Sequence, residues 1–481
     1  MRKLTREETL AVYAAGPEAV VSLVEQFQET LLQLNARVQE LERRLGMNSR
    51  NSHKPPASDG LARGKAPKSL RQPSGRKPGG QPGSSGHTLR QVATPDAVLA
   101  HTPSHCQSCG TSLEGVLPCA SECRQVFDLP PLRLWVTEHQ AQRIRCLRCG
   151  EQTQGTFPPG IQEPVQYGAR ILALGVYLQQ YQLLPYGRTR ELLEDLFGAA
   201  PCAATLGQAL ERASRALEGV EAQIKQAICG APVVHFDETG IRAQAQLQWL
   251  HVAATERLTY YGVHAKRGCA ALDALALLPG LRGCAVHDAY ASYLSYAGRH
   301  ALCNAHLLRE LLALEEETRE PWPTALILLL LEMKEQVEAA RAAGDDALPA
   351  ERVQALRARY ERILEYGAGL HPPPAPTGKK GRRKQSRARN LLDRLERHPE
   401  KVLAFLYDLA VPFDNNLAER DLRMAKVQQK ISGGFRSTGG AALFCRIRGY
   451  ISTLRKQGTH VLTALESVFQ GHPYVPLLSP G

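Results

Sequence analysis

The stretch that decides the fold is "APVVHFDETGIRAQAQLQWLHVAATERLTYYGVHAKRG", residues 231–268. Residues 233–237 read as a short strand of apolar and β-branched side chains that ends on the carboxylate of Asp237. Residues 248–254 and 258–264 read as two further strands, turned at Thr255, Glu256 and Arg257. "CAALDALALLPG" then takes a helical pattern, and "LRGCAVHDAYASY" supplies a fourth strand ending at Asp288. The order predicts three antiparallel strands, a helix, and a strand parallel to the first. The first and fourth strands are then neighbours, which sets their terminal carboxylates about 5 Å apart.

Two carboxylates that close do not stay ionised cheaply unless cations neutralise them. Hard divalent ions do this with oxygen ligands, Mg²⁺ in particular, and keep positions for waters and phosphate oxygens. A third carboxylate on a facing helix would complete a site for two Mg²⁺ ions ~4 Å apart, the arrangement used for phosphoryl transfer. The candidate lies in "VPFDNNLAERDLRMAKVQQKISGGFRS", residues 411–437. Read as a helix from about Asn415, it spaces Asn416, Glu419, Arg423, Lys426 and Lys430 by three, four, three and four residues, so all share one face. A solvated helix laced with salt bridges has the same spacing. Beside Asp237 and Asp288, Glu419 is the predicted third metal ligand, and Arg423, Lys426 and Lys430 are the predicted contacts to a DNA backbone. Asn416 stands one turn before Glu419, placed for a water or a phosphate.

Nearby acids are read differently. Glu238 should point to the opposite sheet face, Asp414 should cap the late helix, and Asp421 should lie on another of its faces. In "LCNAHLLRELL", residues 302–312, Cys303 and His306 are spaced i,i+3, but two ligands do not make a metal site. A buried thiol with a histidine beside the acidic pocket is the expectation, with Arg309 one turn further on and able to reach phosphate.

The rest of the chain is consistent with a partner that is a polyanion. Of its 481 residues 59 are Lys or Arg and 47 Asp or Glu, a net charge of +12 that favours nucleic acid before a membrane surface. No apolar run approaches a membrane span, and "MRKLTREETLAVYAAG" lacks a signal-peptide core, so the expectation is cytoplasmic, with no membrane partner. In that reducing compartment the twelve cysteines are better read as thiols or metal ligands than as disulfides.

Domains follow from composition. Val20, Val24, Phe27, Leu31, Leu34, Val38, Leu41 and Leu45 alternate four and three, which predicts an N-terminal coiled coil over 1–46 that self-associates. Residues 47–95 hold nine Lys or Arg against the single acid Asp59, with seven Pro and seven Gly: a linker, or a basic strip that tracks phosphates. "HCQSCG" and "IRCLRCG" put Cys106, Cys109, Cys146 and Cys149 in two knuckles, the ligand set of a closed structural Zn²⁺ site over 96–158. Cys119 and Cys123 lie between them and can substitute as ligands, and the intervening alternation suggests a β-ribbon. Residues 160–228 read as short helices in a helix-turn-helix-like arrangement for DNA. A catalytic region over 229–315 and 401–460 is interrupted by a helical insertion, 316–400, whose loop "GKKGRRKQSRARN" offers Lys379, Lys380, Arg382, Arg383 and Lys384 to DNA. Residues 461–481 read as a C-terminal tail.

The sequence of these features, from "NSRNSHKPPASDG", "GRKPGGQPG" and the paired Cys-x-x-Cys through "HFDETG", "HDAYASY" and "CNAHLLREL" to "DNNLAERDLR…KISGGFRSTGGAAL", resembles the transposases of the bacterial insertion-sequence sixty-six family. The resemblance spans roughly residues 20–460. It implies an α/β ribonuclease-H-like catalytic domain and a DDE transposase: Mg²⁺-dependent cleavage and strand transfer at terminal inverted repeats, with Asp237, Asp288 and Glu419 as the triad. Double-stranded DNA, both element ends and target, small accessory proteins of the same element and a nucleoid-associated location in bacteria are its implied partners and setting. A non-catalytic DNA-binding regulator and a junction-resolving nuclease are the alternatives.

Overall fold

The computed structural model describes residues 5–46, 89–130, 132–373 and 385–479. Lys379, Lys380, Arg382, Arg383 and Lys384, and the basic strip over 47–88, lie outside the described residues.

Helix α1 spans Arg6–Ala14, and α2, Pro17–Gly46, takes in the whole predicted heptad run. Its apolar seam is uncovered: Val24, Phe27, Leu31, Leu34, Val38 and Leu41 are each 41–60% exposed. Strands β1, Arg143–Arg145, and β2, Gln152–Gln154, pair antiparallel around the second cysteine knuckle. Described residues upstream of β1 that were expected to form a β-ribbon are irregular apart from an isolated bridge between His105 and Ser112.

Four helices follow: α3 (Ala169–Gln180), α4 (Tyr186–Phe197), α5 (Ala203–Ala216) and α6 (Glu218–Cys229). Gly198 stops α4 at φ 68°, a left-handed stop that suits glycine. The sheet comes next, with β3 (Val233–Ala243), β4 (Gln246–Ala254) and β5 (Thr259–His264), then helix α7 (Cys269–Leu275), β6 (Cys284–His287) and β7 (Arg299–Leu302). Its order is β5-β4-β3-β6-β7. The first three strands are antiparallel; β6 pairs parallel with β3, and β7 parallel with β6. The predicted neighbours are therefore neighbours, and β3 runs on to Ala243 because Gln244 and Ala245, at φ 52° and 59°, turn it tightly into β4.

Helices α8 (Asn304–Thr318), α9 (Pro321–Ala343), α10 (Ala350–Leu370), α11 (Arg387–Arg397), α12 (Pro399–Val402) and α13 (Ala404–Tyr407) form the insertion with its flanks. The insertion is not a satellite: Trp322, Leu326, Tyr360 and Leu392 share one core with Cys284 and Val286 of β6. Helices α14 (Asn416–Ser432), α15 (Thr438–Lys456) and α16 (Val461–Phe469) close the chain. The stretch read as a tail thus contains a helix, which buries Val461, Leu465 and Val468 in the core that holds Leu172 and Val176 of α3.

Strand periodicity assigns the two faces. Val234 and Phe236 of β3 join Ala285 and the helices α3, α5 and α6 in one core, while Ile241 and Ala243 join Ala418, Leu422 and Ala425 of α14 in another. Mixed α/β architecture is what the structure displays, and odd-numbered positions of β3 face α14.

Candidate active site

Asp237 follows His235, the last residue of β3 in register with β6, where it stands opposite Val286. Two residues further along each strand stand Asp237 and Asp288. The alternation that sends Asp237 towards α14 sends Glu238 to the other face. There the Glu238 side chain, 2% exposed, pairs with the Arg267 guanidinium at 2.7 Å and accepts a hydrogen bond from the Tyr293 hydroxyl. Arg267 in turn lies over the rings of Tyr290, 4.0 Å from its centroid, and Trp249, so Glu238 is held by partners of its own.

Asn415 sets the late helix against the strand. It is 1% exposed, and its Nδ2 donates to the Phe236 carbonyl at 2.8 Å. That fixes Oδ1 as an acceptor, 2.9 Å from His235 Nδ1, so the imidazole carries its proton on that nitrogen. Burial lowers the His235 pKa and keeps the ring neutral. The Asn415 backbone N–H donates to Cys303 Sγ at 3.2 Å, which ties α14 also to the start of α8. Asp414 is not the cap expected of it: the cap position of α14 is Asn415, and Asp414, one residue earlier, accepts from the Asn416 N–H at 3.0 Å. One turn on from Asn415 stands Glu419, on a helix that packs against β3 and β4.

Burial pushes the Asp237 carboxyl well above the usual range, the charges of Glu238, Asp288 and Glu419 push it further, and the Glu238 N–H, 2.8 Å from Oδ1, opposes them. Burial also raises Glu419; Arg309 and Arg423 oppose that, while Asp414 and Asp288 reinforce it. Asp288 accepts the Tyr290 N–H on Oδ1 at 3.0 Å. Glu419 Oε1 is shielded from solvent and accepts no hydrogen bond among the described residues; His306 Nε2 lies 3.6 Å from it. Half-buried carboxylates whose negative charges repel, one with an oxygen that accepts no hydrogen bond among the described residues, fit a hard divalent cation.

The basic residues divide. Arg309 and Arg423 have their charge at Glu419, and Arg423 and Lys430 are exposed. Lys426 turns inward instead: its ammonium donates to the Gly240 carbonyl at 2.7 Å, and burial lowers its pKa. Spacing alone did not separate it from its neighbours, because the helix face that carries Glu419 also grazes β3. Asp421 sits on another face, as expected, in an ion pair with Lys456 at 2.8 Å. The bracing role of Asn415 was not expected; the signal was a second amide, Asn415, immediately before Asn416 at the start of the helix.

The two cysteine knuckles have matching backbones. Cys106 N–H donates to Thr111 and Gly110 N–H to Cys106, at 2.8 and 3.0 Å; Cys146 and Gly150 repeat this at 2.7 and 2.9 Å. Gly110 and Gly150 stand at φ 73° and 77°, which is why each Cys-x-x-Cys ends on glycine. Thr111 lowers the Cys109 thiol to about 7, and backbone N–H groups around Cys149 and Arg148 lower Cys146, so both favour the thiolate a metal requires. Among the described residues, however, the four sulfurs are not gathered at ligand distance; the three ligand atoms found within 4.8 Å of one another belong to Cys303, His306 and Glu419.

Comparison with protein families decides what kind of chain this is. The model described as the transposase IS66 family matches residues 164–443, more than half the chain, from before α3 into α15. The chain belongs to the IS66 family of transposases. The zinc-finger binding domain of the IS66 transposase matches residues 103–150, which takes in both knuckles and supports a structural zinc there. A family of unknown function matches residues 11–90. Among curated proteins no match was found. Membership makes the chain a DNA-binding transposase, an enzyme that cleaves and joins DNA, of an insertion sequence. No helix among its described residues is long and apolar enough to cross a membrane.

Proposed function

We propose that this IS66-family chain is a DDE transposase with a ribonuclease-H-like catalytic core, which cuts DNA at the inverted repeats of its element and joins the freed 3′-hydroxyl to target DNA. Asp237, Asp288 and Glu419 would hold two Mg²⁺ ions. When bound, Mg²⁺ supplies neutralisation of the carboxylates, activation of the attacking hydroxyl and charge for the leaving oxygen. The chain's own part is to bring three carboxylates to one face of the sheet and to hold them rigidly, with Asn415 locking the late helix to β3. Arg309 and Arg423, whose charges reach Glu419, would orient the phosphodiester, with Lys430 further along the same helix on the backbone. No covalent enzyme intermediate is required.

The observation that carries this reading is geometric: Asp237 and Asp288 each stand two residues past the paired positions His235 and Val286 of adjacent parallel strands, and Glu419 stands on the helix whose cap residue, Asn415, is hydrogen-bonded to β3. The sheet order, three antiparallel strands extended by two parallel ones, supports the fold. The exposed seam on α2 supports self-association through a coiled coil. The deciding experiment is a Mg²⁺-dependent nicking and joining assay on repeat-ended DNA. Asp237→Ala, Asp288→Ala and Glu419→Ala should each lose at least about a thousandfold, the several kcal/mol of a removed metal ligand, while end binding survives. Cleavage retained by one variant removes that residue from the site; cleavage without joining would favour a resolving nuclease, and binding without either a regulator.

A further inference from the structure

Next to the proposed Mg²⁺ site the same glutamate meets a different kind of donor. Cys303 and His306 lie on the first turn of α8 and its cap, and Glu419 lies on the first turn of α14. The sulfur, one imidazole nitrogen and one carboxylate oxygen all fall within 4.8 Å of one another. The edge between His306 Nε2 and Glu419 Oε1 is 3.6 Å. Ligands at about 2.1 Å from a tetrahedral ion are separated by roughly 3.4 Å, so that edge needs almost no adjustment. Cys303 is 3% exposed, and the Glu419 oxygen is shielded from solvent with no hydrogen bond among the described residues. The Cys303 sulfur accepts a hydrogen bond from the Asn415 N–H at 3.2 Å, the kind of outer partner that holds a metal ligand.

We propose that Cys303, His306 and Glu419 form a second divalent-metal site, for a borderline-soft ion of the Zn²⁺ class. Thiolate, imidazole and carboxylate together select Zn²⁺ or Co²⁺ over Mg²⁺, which takes hard oxygen donors. Binding displaces the Cys303 thiol proton to solvent, and no redox change is involved. Because Glu419 serves both sites, an ion held here draws that carboxylate towards α8 and away from Asp237 and Asp288. Micromolar Zn²⁺ would then inhibit Mg²⁺-dependent cleavage. This last consequence rests on the function proposed above; the metal binding does not.

The test uses the full chain carrying one equivalent of zinc, taken by the four knuckle thiolates, which Co²⁺ does not displace because Zn²⁺ is the tighter binder. Titration with Co²⁺ should produce a thiolate-to-cobalt charge-transfer band that saturates at one added equivalent per chain. Cys303→Ser should remove the band, and Glu419→Gln, which keeps the side-chain volume should the serine variant misfold, should weaken Co²⁺ binding at least tenfold. Wild-type protein without the added equivalent, or a band unchanged in both variants, overturns the proposal. Asp237→Asn separates the two readings: it should keep the cobalt band while losing cleavage. If that variant still cleaves, the cleavage reading falls and the metal site stands.

Discussion

Asn415→Ala tests whether one buried amide holds the late helix in place. The substitution removes two hydrogen bonds, to the Phe236 carbonyl and to His235 Nδ1, at 2.8 and 2.9 Å. Both remaining partners are buried, so each costs about 1–3 kcal/mol, and the total should be about 2–6 kcal/mol. At roughly 2 °C per kcal/mol for a body of this size, the thermal midpoint should fall by roughly 4–12 °C. Asn415→Asp makes the sharper comparison. It keeps the shape but turns an acceptor towards the Phe236 carbonyl and adds charge near Asp414, so it should be no better than alanine at neutral pH. Asn416→Ala, at the exposed neighbour, should change stability by less than about 0.5 kcal/mol. Thermal unfolding followed by near-ultraviolet circular dichroism reads all three. Nicking by Asn415→Ala should also fall further than the folded fraction does, because Glu419 loses its anchor. An alanine variant as stable as Asn416→Ala would refute the claim that Asn415 braces α14, and a well-folded Asp variant would show that volume rather than hydrogen bonding matters.

Two further outcomes follow from charge. The raised Asp237 and Glu419 carboxyls mean that the folded, metal-free protein binds protons more tightly than the unfolded chain, so stability from these groups falls as pH rises from the ordinary carboxylate range through their raised folded values. Mg²⁺ should therefore raise the melting temperature more at pH 8 than at pH 5, and Asp237→Asn should flatten the metal-free slope; equal Mg²⁺ effects at both values would contradict this. Asp421→Ala should cost about 3–5 kcal/mol, because it strands the Lys456 ammonium, 15% exposed, without the anion at 2.8 Å. The paired change Asp421→Leu with Lys456→Met should recover most of that loss in urea unfolding, and failure to recover would mean that the carbonyls of Thr255 and Leu258 need the ammonium more than the pair needs its charge.

The amino-acid sequence by itself determined four of the five strands of the large sheet, with Asp237 on the first and Asp288 just past the fourth, and the helix bearing Glu419, because those are local: period-two runs, a period of 3.6 and turn residues between them; it placed the end of the first strand at Asp237, whereas β3 runs on to Ala243. It also determined both knuckles, since a Cys-x-x-Cys closed by glycine specifies its own backbone turn. Tertiary structure alone decided three other matters. The insertion and the supposed tail are built into the cores, a consequence of burial that a segment's own pattern does not name. Lys426 faces the Gly240 carbonyl rather than solvent, because the side of a helix that meets a sheet is set by the sheet. And Cys303, His306 and Glu419, more than a hundred residues apart at their widest, converge on a few ångströms only because Asn415 binds β3 and α8 at once. Contacts of that range are fixed by how preformed elements pack, and no reading along one chain direction contains them.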